Sequence, residues 1–302
     1  MLCLLGSNRI PCPVEQQTRS TGEPYKRLAS ETIHNNQDKR LDRMSDKYIT
    51  TEKHGHILVV TMNRPEVYNA IHVDMHTEMS ECWDAFAADQ DLWVAVLTGA
   101  GDKAFSAGND LKATATGANT KPMPETGFAG LSSRFDLEKP IIAAINGFAM
   151  GGGFETALSC DILIASENAK FALPEVKVGF FAAASGVQRL SRYIGRLAAQ
   201  EMMFTGRTIA ADEALKMGCV NAVVPHDTLL DAAMAKAHEL CAVSPSAVKA
   251  TKRVLNEMMK EDGMQASIAH SREVITDLSK TEDFKEGVQA FVEKRQPKWV
   301  NK

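Results

Sequence analysis

The sequence predicts a globular protein with an α/β fold, and two observations lead to this prediction. Short apolar segments rich in β-branched residues alternate with helix-compatible segments through the middle of the chain. The composition, 44% hydrophobic and 24% charged over 302 residues, is that of a globular protein with a full core. A balance of 34 basic and 38 acidic residues gives a net charge of −4, which argues against a protein dedicated to binding nucleic acid.

The predicted core elements follow one another from residue 57. Each predicted strand is a short apolar run, and these runs lie at residues 57–62, 93–98, 141–145 and 161–165. Residues 74–87 are predicted to form a helix, because Met75, Met79, Cys82 and Phe86 recur at three- and four-residue steps. Residues 113–124 are rich in Thr, Ala, Gly and Lys, which predicts a mobile loop of the kind that covers a binding site.

Three regions are expected along the chain. Residues 1–45 show no sustained periodicity, so we expect a disordered N-terminal extension. Residues 46–225 are expected to form the core and to carry the active site. After residue 225 the strand signals stop, and residues 226–302 are expected to be helical, with amphipathic helices at 227–242, 246–259 and 281–295.

The cysteines and the longest apolar runs bear on the environment of the protein. Six cysteines are scattered without CxxC spacing, which is too sparse for a disulfide scaffold, and the histidines do not join them at metal-ligand spacing. No run approaches the roughly 20 apolar residues of a membrane span. We therefore expect a soluble, intracellular protein with reduced thiols, and the compartment stays open between cytoplasm, mitochondrion and peroxisome.

The sharpest local feature is the run Gly151-Gly152-Gly153, which follows the predicted strand 141–145 and precedes a helix-compatible segment. Backbone N–H groups at the start of a helix lack partners and sit at its positive end, so they suit an oxyanion. A glycine run alone is also typical of a tight turn under a closely packed helix. It fits neither the GxGxxG nor the GxxxxGK[ST] pattern of nucleotide-binding loops.

A second turn of small residues, 105–112, follows the predicted strand 93–98. Both turns come directly after apolar strands, so both could open on one edge of a sheet and offer N–H groups to a shared carbonyl oxygen. Glu155 and Glu175 are 20 positions apart, too far to share one helix face, and the chain must fold back to bring them together. Taken singly, each glutamate is more typical of a solvated surface acid.

In combination, these motifs resemble the crotonase (enoyl-CoA hydratase/isomerase) superfamily over residues 48–299. The matching stretches include Asn63-Arg64-Pro65, Asn69-Ala70, Leu97-Thr98-Gly99, 105–112, Lys139-Pro140, 146–155, Pro174-Glu175, Gln188-Arg189-Leu190, Thr205-Gly206, 211–214 and 291–295. The resemblance implies a spiral of ββα units with a C-terminal helical trimerisation region, and a homotrimer or dimer of trimers. Within the superfamily, residues 127–131 and 171–175 look most like the carnitinyl-CoA dehydratase (crotonobetainyl-CoA hydratase) subgroup.

The resemblance also implies roles for individual residues. Ala107 and Gly152 would supply the two N–H groups that bind the thioester oxygen of an acyl-CoA, and Glu155 and Glu175 would be the two catalytic glutamates. The residues implied for coenzyme A contacts are Val67, Tyr68, Ala107, Gly108, Asn109 and Asp110, with Phe291 and Lys294 reaching a neighbouring subunit's coenzyme A. We expect no metal and no cofactor beyond the coenzyme A thioester, which is the substrate.

The glutamate pair favours an acyl-CoA hydratase or dehydratase over the other activities of the superfamily. The alternatives are an enoyl-CoA isomerase or hydratase-lyase on the same scaffold, a non-catalytic coenzyme A-binding subunit, and an RNA-binding member. The RNA-binding branch would carry a lysine-rich helix near the N-terminal core, whereas residues 74–91 are acidic here. Two departures stand out: Glu66 replaces a common lysine near the coenzyme A phosphates, and residues 182–186 replace a glycine-rich segment and predict a narrower acyl site.

Overall fold

Two β-sheets and the helices around them form the part of the protein that the structure describes. The structure is a computed structural model, and it describes residues 47–111, 113, 122–178, 181–260, 277, 280–293 and 295–302. The predicted N-terminal extension, most of the predicted loop 113–124 and Lys294 lie outside these residues. All described residues belong to one compact unit.

The first sheet has six strands, which are β1 (Ile49–His54), β2 (Ile57–Met62), β3 (Val94–Gly99), β5 (Ile141–Ile145), β7 (Ile162–Ser166) and β10 (Ala222–Val224). They lie in the order β1-β2-β3-β5-β7-β10, and only the pairing of β1 with β2 is antiparallel. The sequence predicts β2, β3, β5 and β7 to within a residue. Such strands are easy to find because strands buried on both faces appear as continuous apolar runs.

The second sheet is made of very short strands, which are β4 (Ala104–Ser106), β6 (Phe148–Met150), β8 (Lys170–Ala172) and β9 (Ile209–Ala210). They lie in the order β4-β6-β8-β9, with the first three parallel and β9 antiparallel to β8. The sequence does not predict these strands, since two or three residues carry no alternation. Because parallel strands end at the same edge of a sheet, the segments after β4, β6 and β8 are brought together.

Eight α-helices complete the described part of the chain. They are α1 (Val73–Ala88), α2 (Gly152–Leu158), α3 (Gly186–Ile194), α4 (Arg196–Thr205), α5 (Ala211–Met217), α6 (Leu229–Cys241), α7 (Pro245–Lys260) and α8 (Glu282–Glu293). Short 3₁₀ turns lie at Pro65–Val67, Phe128–Gly130, Glu175–Val178 and His226–Thr228. The predicted helix 74–87 is confirmed as α1, and the three predicted C-terminal helices are confirmed as α6, α7 and α8.

Helices cover both faces of the six-stranded sheet. Leu58, Val60 and Leu97 point into a core cluster that contains Trp83 and Phe86 of α1. Because side chains alternate along a strand, the intervening residues point to the opposite face. There Val59, Val96, Ile142 and Ala144 pack with Leu229, Ala233 and Ala237 of α6.

The position of α6 bears on the predicted division of the chain at residue 225. This helix packs on a face of the six-stranded sheet, and the boundary at residue 225 stays a prediction. The mixed α/β architecture predicted from the sequence is confirmed. Among the described residues, no helix combines the length and the apolar character needed to cross a bilayer.

Candidate active site

The candidate site lies where β4, β6 and β8 end. The turn after β4 contains Gly108, which has φ of 85°, and the turn after β6 contains Gly151, Gly152 and Gly153. A Cβ atom on Gly108 would lie 2.6 Å from the carbonyl oxygen of Met150 and 2.9 Å from the nitrogen of Gly152. The two turns therefore touch, and only glycine fits at their contact.

Glu175 reaches the same place through the pairing of β6 with β8. Met150 is opposite Ala172 in this pair, and the N–H of Gly151 donates to the carbonyl oxygen of Ala172 at 2.9 Å. Three residues further, Oε1 of Glu175 lies 2.9 Å from the position that a Cβ atom on Gly151 would occupy. Parallel pairing thus provides the fold-back that the 20-residue spacing of the glutamates requires.

Glu155 comes from helix α2, which begins at Gly152. Its N–H donates to the carbonyl oxygen of Gly151, one turn earlier, and its side chain is buried, with 3% of the residue exposed. The carboxyl group is held by the start of α3, where the N–H of Gly186 donates to Oε1 at 2.8 Å. A Cβ atom on Gly186 would lie at 2.8 Å from the same oxygen, so glycine permits this approach.

Burial raises the pKa of both glutamates. It raises the pKa of Glu155 to about 7, and the nearby Glu175 carboxylate raises it too, while hydrogen bonds from the N–H groups of Gly186 and Ala184 act in the opposite direction. Burial also raises the pKa of Glu175. Oε2 of Glu175 is buried and has no hydrogen-bond partner in the described part of the chain. A buried carboxyl oxygen without a partner is suited to binding water or a substrate.

The two predicted oxyanion donors differ in the structure. Gly152 is the first residue of α2, so its N–H has no acceptor within the helix. Ala107 was expected to be the second donor, but its N–H already donates to the carbonyl oxygen of Tyr68 at 2.9 Å. The chain thus provides an acceptor for the Ala107 N–H, whereas the Gly152 N–H begins a helix, and the role of both residues as oxyanion donors stays a prediction.

The residues expected to contact coenzyme A fall into one neighbourhood where the structure describes them. Tyr68, which is 46% exposed, follows the 3₁₀ turn that ends at Val67, and its carbonyl binds Ala107. Asn109 forms a parallel bridge with Ile71. The carboxylate of Asp110 pairs with Arg64 at 3.1 Å.

The described residues do not test the contacts expected between two C-terminal residues and a neighbouring subunit's coenzyme A. Phe291 lies in α8, but its side chain is not among the described ones, and Lys294 is outside the described residues altogether.

Two contacts at the site were not predicted from the sequence, although one of them involves Gly186, which ends the segment 182–186 that was expected to narrow the acyl site. The N–H of Gly186 binds Glu155, and the ring of Phe128 packs on Gly152 so closely that a Cβ atom there would lie 2.5 Å from Cζ. The signal for Phe128 was its place in the motif 127–131, which the sequence analysis used only to assign the subgroup.

A cavity of about 720 Å³ lies apart from this site. It opens beside the far ends of α2 and α3 and is lined by Arg134, Arg189, Arg192 and Lys252 together with apolar side chains of α7. Its described lining residues include neither glutamate nor any glycine of the 151–153 run. The cavity and the glutamate pair therefore lie in different places, and the candidate site is the one that contains the two glutamates.

The chain is similar to proteins of one known family. Residues 52–302 match the model of the family described as enoyl-CoA hydratase/isomerase. A carnitinyl-CoA dehydratase from Citrobacter koseri is 44% identical over 251 residues, which are 82% of this chain and 96% of the relative. A carnitinyl-CoA dehydratase from Salmonella enteritidis is 43% identical over the same shares. The crystal structure of an enoyl-CoA hydratase from Mycobacterium tuberculosis H37Rv superposes with a TM-score of 0.80 at 36% identity, covering 85% of this chain and all of that one.

Proposed function

Because this chain belongs to the enoyl-CoA hydratase/isomerase family, we propose that it is an acyl-CoA hydratase or dehydratase, acting on the Cα–Cβ bond of an enoyl-CoA thioester. One observation carries the proposal. The carboxyl groups of buried Glu155 and half-buried Glu175 lie close enough to interact, and Glu175 lies against Gly151, next to the Gly152 N–H that begins α2. The relatives named carnitinyl-CoA dehydratase support the same kind of reaction.

The N–H of Gly152 is proposed to bind the thioester oxygen. Drawing negative charge onto this oxygen makes Cβ electrophilic and stabilises the enolate that forms when water adds. The N–H lies at the positive end of the α2 dipole, which strengthens this effect. The Ala107 N–H would act as a second donor only if its bond to Tyr68 opened, so the proposal is built on Gly152.

The two glutamates are proposed to handle the protons. In hydration, Glu155 takes a proton from a water molecule whose oxygen bonds to Cβ, and Glu175 delivers a proton to Cα. Dehydration reverses both transfers. A pKa of about 7 lets Glu155 accept a proton as the base in hydration and lose it again at neutral pH, which restores the base for the next turnover. Because the addition of water is redox-neutral, the proposed reaction calls for no cofactor beyond the coenzyme A thioester.

Substrate and assembly follow from the resemblance. Tyr68, Gly108 and Asp110 lie beside the site and are proposed to contact coenzyme A together with Val67 and Asn109. The names of the relatives support an acyl group of the carnitinyl or crotonobetainyl type. We propose a homotrimer or a dimer of trimers, in which Phe291 and Lys294 approach the coenzyme A of a neighbouring subunit.

The test is the loss of enoyl-thioester absorbance when the purified protein is mixed with crotonyl-CoA or crotonobetainyl-CoA. Glu155→Gln and Glu175→Gln are each expected to lower kcat by a factor of about 10² or more, because each removes a proton-transfer group. Glu52→Gln, on the exposed side of β1, is the control and should keep the wild-type rate. Wild-type rates in both site variants would refute the proposed mechanism.

A further inference from the structure

Residues 127–131, here named the Phe128 turn, take an unusual backbone conformation. Gly127, Ala129 and Gly130 have φ values of 80°, 54° and 67°. For glycine this costs little, but for Ala129 it is a sparsely populated region that persists only where the surroundings enforce it. Contacts around Ala129 must therefore hold it in this conformation.

Two side chains of helix α1 form hydrogen bonds with the backbone of Ala129, one with its N–H and one with its carbonyl oxygen. The N–H of Ala129 donates to Nδ1 of His76 at 3.0 Å, and Nε1 of Trp83 donates to the carbonyl oxygen of Ala129 at 3.0 Å. His76 is 3% exposed and Trp83 is fully buried. Because Nδ1 accepts, the ring must be unprotonated there, and burial lowers the pKa of His76 to about 4, which keeps this bond intact at neutral pH.

Two further bonds fix the rest of the turn. The N–H of Phe128 donates to Oγ of Ser132 at 2.8 Å, and Nε of Arg134 donates to the carbonyl oxygen of Gly130 at 2.9 Å. Gly130 packs on α1 so closely that a Cβ atom would lie 2.6 Å from the Cα of Ser80. The Phe128 turn is thus held by four hydrogen bonds to buried side chains and by direct packing.

These contacts fix the position of the Phe128 ring. Phe128 is 7% exposed, and its ring meets that of His76 edge to face at 4.4 Å. The far end of the ring occupies the space next to the α-carbon of Gly152, the residue whose N–H is proposed to bind the thioester oxygen. The acyl Cα is bonded to the thioester carbonyl carbon, so a substrate whose carbonyl oxygen binds the Gly152 N–H brings its Cα into the neighbourhood of this ring.

We propose that Phe128 is a specificity-determining residue that excludes acyl groups branched at Cα, and that His76 and Trp83 are positioning residues for its ring. The substrate class is then enoyl thioesters unbranched at Cα. This inference rests on the proposed function for the orientation of the thioester. A hydrophobic wall of this kind discriminates by size, and one methyl group is worth about 10- to 200-fold in such a site.

The experiment measures binding rather than turnover, with the saturated thioesters butyryl-CoA and isobutyryl-CoA, which differ by a methyl group at Cα. Isothermal titration gives the ratio of their dissociation constants. Wild type should prefer butyryl-CoA by about tenfold or more, and Phe128→Ala should reduce that preference about tenfold. Phe284→Ala, on α8, is the control and should keep the wild-type ratio. An unchanged ratio in folded Phe128→Ala, or no preference in wild type, would overturn the inference.

A second pair of variants tests the positioning role. Asn at position 76 can place its amide oxygen near the position of Nδ1 and accept from Ala129, whereas Leu cannot. His76→Leu is expected to shift the ratio in the same direction as Phe128→Ala, and His76→Asn to restore most of the wild-type preference. Equal ratios in the two variants would refute the positioning role. If Phe128→Ala does not fold, Phe128→Leu, which shortens the side chain but keeps it apolar, should shift the ratio in the same direction by at least threefold, and an unchanged ratio would overturn the inference.

Hydration of crotonyl-CoA by wild type separates this inference from the proposed function. Hydration of crotonyl-CoA with no preference against isobutyryl-CoA would support the proposed function and refute the proposed role of Phe128. Binding of both saturated thioesters with the expected preference, but no hydration of crotonyl-CoA, would refute the proposed function and support the proposed role of Phe128. If neither thioester bound, both would fail.

Discussion

At the residue scale, Glu155 shows how burial and hydrogen bonding compete for one proton. Burial disfavours the carboxylate, and the neighbouring Glu175 adds repulsion, while backbone donors at the start of α3 favour the charged form. Burial prevails, and the pKa rises to about 7. The same side chain is therefore costly for folding where it is ionised and useful for proton transfer near neutral pH.

This pKa predicts a pH-dependent stability. Between its usual pKa of 4.5 and its folded value of about 7, Glu155 holds more proton in the folded than in the unfolded state, so the free energy of unfolding falls as pH rises through this window. Glu155→Gln keeps an acceptor for Gly186 and removes the ionisation. Its stability relative to wild type should therefore improve by about 2 kcal/mol between pH 5 and pH 8, measured by urea unfolding.

The control for this prediction is Glu167→Gln, which changes an exposed carboxyl group. It should show no comparable improvement across the same pH range. An equal pH response in Glu155→Gln and wild type would mean that the Glu155 carboxyl titrates normally in the folded protein.

At the element scale, the site depends on three short strands ending together. The turn after β4 meets the start of α2 at Gly108, and Gly153 packs on the carbonyl oxygen of Ser106 so closely that no side chain fits between them. The large sheet does not supply these contacts. It supplies the rigid layer from which the short strands continue, since β3 is followed by β4 and β5 by β6.

Two glycines with nearly the same φ distinguish the cost of backbone strain from the cost of a steric clash. Gly108 has φ of 85° and faces Met150, whereas Gly218 has φ of 83° and nothing within 4 Å of the position that a Cβ atom would take. Gly218→Ala should lower the free energy of unfolding by about 1 kcal/mol through the backbone alone. Gly108→Ala should lower it by about 2–4 kcal/mol, because the methyl group forces the turn away from α2.

Gly108→Ala is also expected to lower hydration of crotonyl-CoA well beyond any change in Gly218→Ala, and both are measured by urea unfolding and the absorbance assay. Similar stability and activity in the two variants would show that the contact between the turns is not needed.

At the scale of the whole molecule, Asp283 ties the C-terminal segments together. This fully buried carboxylate accepts from Oγ of Ser246 at the start of α7 at 2.9 Å, and from the N–H groups of Val300 and Asn301 at 2.8 and 3.1 Å. One side chain thus joins α7, α8 and the C-terminus. A buried carboxylate is retained at such a position only because its donors compensate for lost hydration.

Replacing this carboxylate is predicted to loosen the C-terminal region. Asp283→Asn leaves one acceptor oxygen for several donors and turns an NH₂ group toward the others, so the free energy of unfolding should fall by about 2–4 kcal/mol in urea titrations. Glu282→Gln, the exposed neighbouring acid in α8, should change it by no more than about 0.5 kcal/mol. Equal effects of the two substitutions would contradict the role of Asp283.

The proposed assembly also makes a prediction at this scale. Besides the C-terminal helices, we expect the assembly to cover the face of α4 that carries Leu197 and Phe204, which are 84% and 72% exposed and lie seven residues apart. Sedimentation should show wild type as three or six copies of the 32.9 kDa chain. Leu197→Ser combined with Phe204→Ser should shift the protein toward monomer, while Leu215→Ser, on α5, should not. A monomeric wild type would refute the assembly.

The sequence alone determined the elements and motifs whose signals are local. Strands β2 and β5 and helix α1 follow from apolar runs and from spacing, because each signal lies within the segment itself. The resemblance to the crotonase superfamily follows from ordered short motifs, and the family match confirms it. The two glutamates were identified in the same way, although their catalytic role stays a prediction.

Only the tertiary structure decided the features that depend on contacts between distant segments. Three-residue strands have no pattern of their own, so β4, β6 and β8 become visible only through their pairing. The N–H of Ala107 is satisfied by Tyr68, 39 residues earlier, and Phe128 reaches Gly152 because His76 and Trp83 hold its turn. Composition and periodicity predict whether a residue is buried. Which distant residue it contacts depends on the path of the whole chain.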